Sequence, residues 1–119
     1  MNEKETKQEL FDISCKHIME QGKPSVDRSL GCRYRYHGLS CGAAPFIKEY
    51  DEGMEGHSWQ EVAWAYPENL DARAVEFSGF VESLQSAHDG ASTRQDFMDA
   101  YRLGMRNIAQ KHGLTMEHP

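Results

Sequence analysis

The sequence predicts a mainly helical α+β protein, in which about three longer and two short helices pack on one short β-hairpin. Apolar residues recur at three- and four-residue steps over several segments, which is typical of amphipathic helices. One short segment alternates in period two beside a His-Gly pair, which favours a hairpin. The chain has 119 residues, of which 39% are hydrophobic, and this suits one domain with its own core.

The first long helix is predicted over residues 3–21. Its apolar stripe consists of Leu10, Phe11, Cys15, Ile18 and Met19. Gly22 is expected to end the helix, because glycine readily adopts the left-handed conformation found after helices, and Pro24 follows it. We expect residues 23–31 to form a loop.

A β-hairpin is predicted over residues 32–41, where Cys-Arg-Tyr-Arg-Tyr alternates and a His-Gly pair gives a turn signal. We expect a register that pairs Cys32 with Cys41 and Tyr34 with Leu39. This register places the two thiols side by side on one face. An isolated hairpin is marginally stable in water, so it must pack on the helices.

Two short helices are expected between the hairpin and Pro67. One spans residues 46–50, and residues 51–57, which hold two glycines among acids, follow it as an exposed loop. Ser58 and Glu61 have the spacing of a capping box, in which each side chain accepts a hydrogen bond from the other residue's backbone N–H. The second short helix should therefore begin directly after Ser58.

Two further long helices are expected in the last part of the chain. The first spans residues 69–88, and a loop at 89–92 follows it. A second capping box, formed by Ser92 and Gln95, predicts the start of the last helix, and Gly113 predicts its end.

We expect residues 1–113 to form a single globular domain and residues 114–119 to form a flexible tail. The mean hydropathy is −0.74, and the chain has no apolar run that would cross a membrane. No apolar segment follows the charged N-terminal residues, as a signal peptide would require. Three cysteines do not make a secreted disulfide framework. These features favour a cytoplasmic protein with free thiols and no membrane partner.

Negative charge is concentrated in one segment. The whole chain has a formal net charge of −6, whereas residues 49–89 carry ten carboxylates and one arginine, a net of −9. Such a surface keeps a protein soluble, and it also steers a basic partner towards itself. The candidate partner-binding residues are these acids and the large side chains beside them, namely Glu49, Asp51, Glu52, Met54, Glu55, Trp59, Glu61 and Tyr66.

Several motifs lie in the same order along residues 30–89. They are a C-x-Y-R segment at Cys32, a G-L-x-C return at Gly38, Met54-Glu55-Gly56, and L-Q-x-x-H-D from Leu84 to Asp89. Together they resemble a family of small uncharacterised proteins of tailed bacteriophages and related bacterial elements. The resemblance implies a phage or prophage origin, with the host cytoplasm as the compartment, and it implies no reaction.

Catalytic and metal-binding patterns are weak in this sequence. Cys32, Cys41, His37 and His57 have the donor atoms of a zinc site. The two cysteines lie nine positions apart, however, whereas zinc knuckles space them by about two to four residues. We therefore expect no metal, no cofactor and no enzymatic activity. A small metal-binding or thiol-dependent module centred on Cys32 and Cys41 is the alternative.

These observations favour a non-enzymatic phage or prophage accessory protein that binds a host protein through its acidic surface. A nucleic-acid-binding complex would offer the complementary basic surface, so inhibition of a host defence system, as by anti-CRISPR proteins, is one concrete form. Arg33 and Arg35 are too few cations for direct nucleic-acid binding by an acidic protein. A self-associating structural or assembly protein is a further alternative, and the sequence does not set the oligomeric state.

Overall fold

The structure, a computed structural model, describes residues 2–27 and 31–116. In these ranges the chain forms five α-helices and two short antiparallel ladders, which confirms the predicted mainly helical α+β class. The three long helices are α1 (Glu3–Gln21), α4 (Ser78–Ala91) and α5 (Phe97–His112), and the two short ones are α2 (Trp59–Ala65) and α3 (Ala72–Glu76). None of the helices in the described part is long and apolar enough to span a membrane.

The helix α1 has the bounds that the sequence predicts. The side chain of Asn2 caps its first turn by accepting a hydrogen bond of 2.8 Å from the backbone N–H of Glu5. Gly22 ends it at a φ of 70°, and its N–H donates to the carbonyl group of Ile18. Gly113 ends α5 in the same way, at a φ of 67°.

Four two-residue strands form two separate ladders in place of the single predicted hairpin. They are β1 (Val26–Asp27), β2 (Gly31–Cys32), β3 (Arg35–Tyr36) and β4 (Leu39–Ser40). The strand β1 pairs with β2, and Cys32 lies opposite Val26 instead of the predicted Cys41. The loop predicted over residues 23–31 is therefore wrong at β1 and at Gly31, and its residues 28–30 lie outside the described part.

The hairpin formed by β3 and β4 turns at His37 and Gly38. Both residues have positive φ, 49° and 80°, and a two-residue turn of this kind matches the twist of the flanking strands. The turn pairs Tyr36 with Leu39. The predicted pairing of Tyr34 with Leu39 is therefore wrong by two residues.

The long helix predicted over residues 69–88 is interrupted. Phe77 leaves the helical region, with φ −104° and ψ 42°, so α3 and α4 are separate helices. Leu70 precedes them in an extended conformation and forms an isolated antiparallel bridge with Ile47. The apolar residues keep their spacing across the break, which is why the sequence predicts one helix.

Of the two predicted capping boxes, only the first forms. Ser58 and Glu61 exchange hydrogen bonds of 3.2 and 3.0 Å, and α2 begins directly after Ser58. Ser92 is buried, and its hydroxyl group donates to the carbonyl group of Asp89 at 2.7 Å. The helix α4 therefore continues to Ala91 through the predicted loop, and α5 begins only at Phe97.

The short helix predicted over residues 46–50 is instead a 3₁₀ turn at Ala44–Phe46. A second 3₁₀ turn, Glu52–Met54, lies within the predicted exposed loop. Asp51 fixes this turn, because its carboxylate accepts a hydrogen bond of 2.7 Å from the N–H of Gly53.

One buried cluster connects all five helices, and α4 packs against α1, α2 and α5. The largest wholly buried side chains are Trp59, Tyr101, Phe11, Phe46, Leu10 and Ile18. Thr115 exchanges hydrogen bonds of 2.9 and 3.0 Å with the side chain of Gln8. Residues 114–116 of the predicted tail therefore lie against α1, and residues 117–119 lie outside the described part.

Candidate protein-docking groove

The helix α2 has one buried face and one open face. Trp59, Val62 and Ala63 point into the core, with at most 5% of each residue exposed. Trp64 lies on the open face and is 86% exposed, the largest value among the large apolar residues of the described part. Burying a large apolar side chain stabilises a protein by about 2–3 kcal/mol, so an exposed tryptophan contributes little to this fold. Trp64 is therefore a candidate for contact with another molecule.

A groove of about 490 Å³ runs beside Trp64. Its surface is mostly apolar, and the residues that shape it include Gly53, His57, Glu61, Trp64, Ala65 and Tyr66. Glu61 contributes a carboxylate, and no lysine or arginine is among the described residues that line the groove. The groove therefore combines aromatic surface with negative charge.

The loop before α2 lies close against Tyr66 because position 53 is a glycine. A Cβ atom on Gly53 would collide with the hydroxyl group of Tyr66. The hydrogen bond from its N–H to Asp51 holds the backbone of Gly53 in this position. The shape of this end of the groove thus depends on a close approach that only glycine permits without a shift.

The carboxylate of Glu61 is held in place at the groove. Its Oε1 atom accepts the hydrogen bond from the N–H of Ser58, and its Oε2 atom lies 3.5 Å from Nδ1 of His57. The hydrogen bonds from the backbone and side chain of Ser58 lower the pKa of Glu61. Glu61 is therefore negatively charged at neutral pH.

Five of the eight predicted partner-binding residues lie where a partner can reach them. Glu49, Asp51 and Glu52 are exposed on the chain before α2, and Glu61 and Tyr66 line the groove. Their positions are compatible with the predicted acidic surface, and binding itself stays a prediction.

Met54 and Trp59 do not lie on the surface, so their prediction as apolar anchors is wrong. Both are 0% exposed, and the indole N–H of Trp59 donates a hydrogen bond of 3.0 Å to the carbonyl group of Ala74. Trp64, which is not among the predicted candidates, takes the exposed position. The helical period predicts this: with residues 59, 62 and 63 facing the core, residue 64 points away from it.

The prediction of Glu55 as a partner-binding residue is also wrong, because its carboxylate holds the hairpin. It accepts hydrogen bonds from the N–H groups of Tyr34 (2.8 Å) and Arg35 (3.1 Å) and from the hydroxyl group of Tyr50 (2.6 Å). Only 10% of the Glu55 side chain is exposed. Its role is therefore to fix the backbone at the start of β3.

The four weak metal candidates do not come together. Cys41 is wholly buried, whereas His37 and His57 are exposed. In the described ranges, one group of three side chains has ligand atoms within 4.8 Å of one another, and it consists of Cys32, His88 and Asp89.

Hydrogen bonds occupy both ring nitrogens of His88. The N–H of Ser25 donates to Nε2 at 2.9 Å, so Nε2 carries no proton, and the Nδ1–H group donates to Asp89 at 2.9 Å. A metal ion on Nδ1 would place a proton on Nε2, directly facing the N–H of Ser25. The geometry therefore favours a neutral histidine that joins the chain before β1 to α4.

The environment of the three thiols favours their protonated form. Burial raises the pKa of Cys15, Cys32 and Cys41. The thiolate is the reactive and metal-binding form, so few of these groups are in that form at neutral pH.

A serine and a histidine also lie in contact near the hairpin. The hydroxyl group of Ser40 is 2.9 Å from Nε2 of His17. Gln21 binds both backbone groups of Ser40, at 2.9 Å each. These contacts attach β4 to α1.

The fold and its groove define a small α+β domain with an exposed tryptophan beside a groove that Glu61 lines. A scan of protein-family models and searches of curated proteins and of solved structures find no match to this chain. The resemblance to phage proteins therefore stays a prediction.

Proposed function

We propose that this protein is a non-enzymatic binding protein that docks a basic protein partner on the groove beside Trp64. The observation that carries the proposal is the exposure of Trp64, 86%, next to a mostly apolar groove. Tryptophan is among the side chains that contribute most binding energy at protein interfaces. Glu61 adds a charge that favours a positively charged partner.

Other exposed carboxylates of residues 49–89 add electrostatic attraction. Asp71 and Asp89 bind Arg73 and His88, and Glu55 is used in the hairpin, so these three acids serve the fold. Others of the same segment are exposed, namely Glu49, Asp51, Glu52, Glu61, Glu68 and Glu76. A surface of one sign raises the association rate with an oppositely charged partner, and salt weakens this effect.

A nucleic-acid-binding protein is a suitable partner, because its basic surface is built to neutralise phosphates. If the chain comes from a phage or prophage, as its motifs suggest, the partner is a host protein in the host cytoplasm. Inhibition of a host defence complex, as by anti-CRISPR proteins, is then one form of the proposed function.

A pull-down from nuclease-treated host lysate tests the proposal. The bait is the wild-type protein, the Trp64→Ala variant or the Leu103→Ala variant, and bound proteins are identified by mass spectrometry. Leu103 is 54% exposed on α5 and lies outside the groove, so its substitution is a matched control. We expect one stoichiometric, salt-sensitive partner that the wild type and Leu103→Ala retain and Trp64→Ala loses.

Equal capture of that partner by Trp64→Ala would show that the groove is not the docking site. Light scattering on the purified proteins addresses the self-association alternative. A dimer that dissociates in Trp64→Ala would make the partner a second copy of the chain, contrary to the proposal.

A further inference from the structure

We infer that the groove beside Trp64 receives an arginine side chain of the partner. The inference rests on the proposed function and names the chemical group that the groove recognises. Two aromatic residues, Trp64 and Tyr66, line the groove together with Glu61. These are the groups that a guanidinium ion binds, through its flat face and its N–H edge respectively.

The apolar lining favours arginine over lysine. A guanidinium ion is planar and weakly hydrated, so it enters an apolar, aromatic groove with a small loss of hydration. The ammonium group of lysine is a strongly hydrated point charge, and it loses more on the same transfer. A groove whose charge came only from scattered surface acids would not distinguish the two.

Glu61 has one oxygen atom available for the guanidinium group. Its Oε1 atom accepts the capping hydrogen bond of 3.0 Å from the N–H of Ser58, whereas Oε2 lies 3.5 Å from Nδ1 of His57, and 63% of the Glu61 side chain is exposed. A contact of that length is weak by hydrogen-bond criteria, so a guanidinium N–H group can replace it.

The same combination of groups occurs inside this fold. The guanidinium carbon of Arg35 lies 4.4 Å from the ring centroid of Tyr50. The hydroxyl group of that tyrosine donates to the carboxylate of Glu55. An arginine placed over a tyrosine whose hydroxyl group binds a glutamate is therefore an arrangement that this chain already forms, and aromatic residues and a glutamate also line the groove.

Two peptides that differ only in three arginines or three lysines test the inference. Each is titrated into ¹⁵N-labelled protein, and the two indole N–H signals are followed by NMR. Trp59 is buried with its indole N–H bound to Ala74, and a Trp64→Phe variant assigns the other signal. We expect the arginine peptide to shift the Trp64 signal and to bind about fivefold more tightly than the lysine peptide.

Two charge variants show whether Glu61 binds the arginine peptide directly in the groove or only adds to the negative charge of the surface. Glu61→Gln removes the charge and retains an acceptor for the capping box, so α2 keeps its start. Glu76→Gln removes the same charge from an exposed site on α3 outside the groove. We expect Glu61→Gln to weaken arginine-peptide binding about tenfold and Glu76→Gln to weaken it less than twofold.

Equal binding of the two peptides, equal effects of the two variants, or a Trp64 signal that does not move would each overturn the inference. None of these results changes the outcome expected of the pull-down. A partner that depends on Trp64 without any preference for arginine would leave the proposed function standing and refute the arginine site. A pull-down that finds no partner dependent on Trp64 would refute the proposed function itself.

Discussion

Removal of the Glu55 carboxylate gives the sharpest test of what holds the hairpin. Glu55→Ala leaves three donors without their acceptor, namely the N–H groups of Tyr34 and Arg35 and the hydroxyl group of Tyr50. These hydrogen bonds attach the chain between β2 and β3 to the residue that follows the 3₁₀ turn at Glu52–Met54. The expected result is a folded but destabilised protein.

The magnitude follows from the burial of each donor. Tyr34 is 4% exposed, so its N–H group loses a charged acceptor at a cost of about 2 kcal/mol. Tyr50 is partly buried, and its hydroxyl group can turn to water, at a cost of about 1 kcal/mol. The N–H group of Arg35 is at an exposed residue and adds little. The free energy of unfolding should therefore fall by about 3 kcal/mol. This loss is smaller than the total of about 5–15 kcal/mol that is typical of a small domain, so the variant stays folded.

Urea denaturation followed by circular dichroism measures this loss. Glu52→Ala is the matched control, since Glu52 is exposed in the same loop, and it should change the free energy of unfolding by less than about 0.5 kcal/mol. Glu55→Gln keeps one acceptor oxygen and should fall between the two. A loss below about 1 kcal/mol for Glu55→Ala would refute the assigned role.

The remaining predictions concern the core, alkaline pH and the thiols. Trp59→Ala should lower the free energy of unfolding by about 3–5 kcal/mol and Trp64→Ala by less than about 0.5 kcal/mol. Losses of the same size for the two variants in urea denaturation would contradict the buried position of Trp59 and the exposed position of Trp64. Burial, together with the Glu55 carboxylate, raises the pKa of Tyr50 to about 12, so the unfolded chain loses this proton first. Stability should therefore fall as pH rises above about 10, less steeply in Tyr50→Phe, and a rise in stability measured there would contradict this. Cys41 is wholly buried and should resist iodoacetamide until the protein unfolds; rapid labelling of the native protein, detected by mass spectrometry, would count against the structure.

Local chemistry made several helix ends predictable. Gly22 and Gly113 stop α1 and α5 because each adopts positive φ, which is a property of the residue itself. The box of Ser58 and Glu61 likewise needs only one turn of chain. The apolar stripe of α1 indicates a helix because the period of a helix is visible in sequence, and Gly22 marks where that helix ends.

Elements that depend on tertiary contacts were not predictable in this way. The sequence pattern at Ser92 fits a capping box, yet the serine is buried beside Cys32 at 3.0 Å, so α4 continues past it. The pairing of Cys32 with Val26 rather than Cys41 depends on a segment that the period-two pattern does not include. At Phe77 the stripe continues while the backbone breaks, so hydrophobic periodicity alone cannot place the boundary.

The residues with the most conspicuous chemistry in the sequence serve the fold. Gln85 accepts a hydrogen bond of 3.0 Å from the N–H of Ala43 and donates one of 3.0 Å to Asp89, which in turn binds His88. Glu55 binds the start of β3 in the same manner. These four side chains belong to the ordered motifs of residues 30–89. Gln85, His88 and Glu55 accept hydrogen bonds from backbone N–H groups of other segments, and Asp89 binds Gln85 and His88 on its own helix. These motif residues therefore hold segments of the fold together, and the docking role that we propose is assigned instead to Trp64, which is 86% exposed.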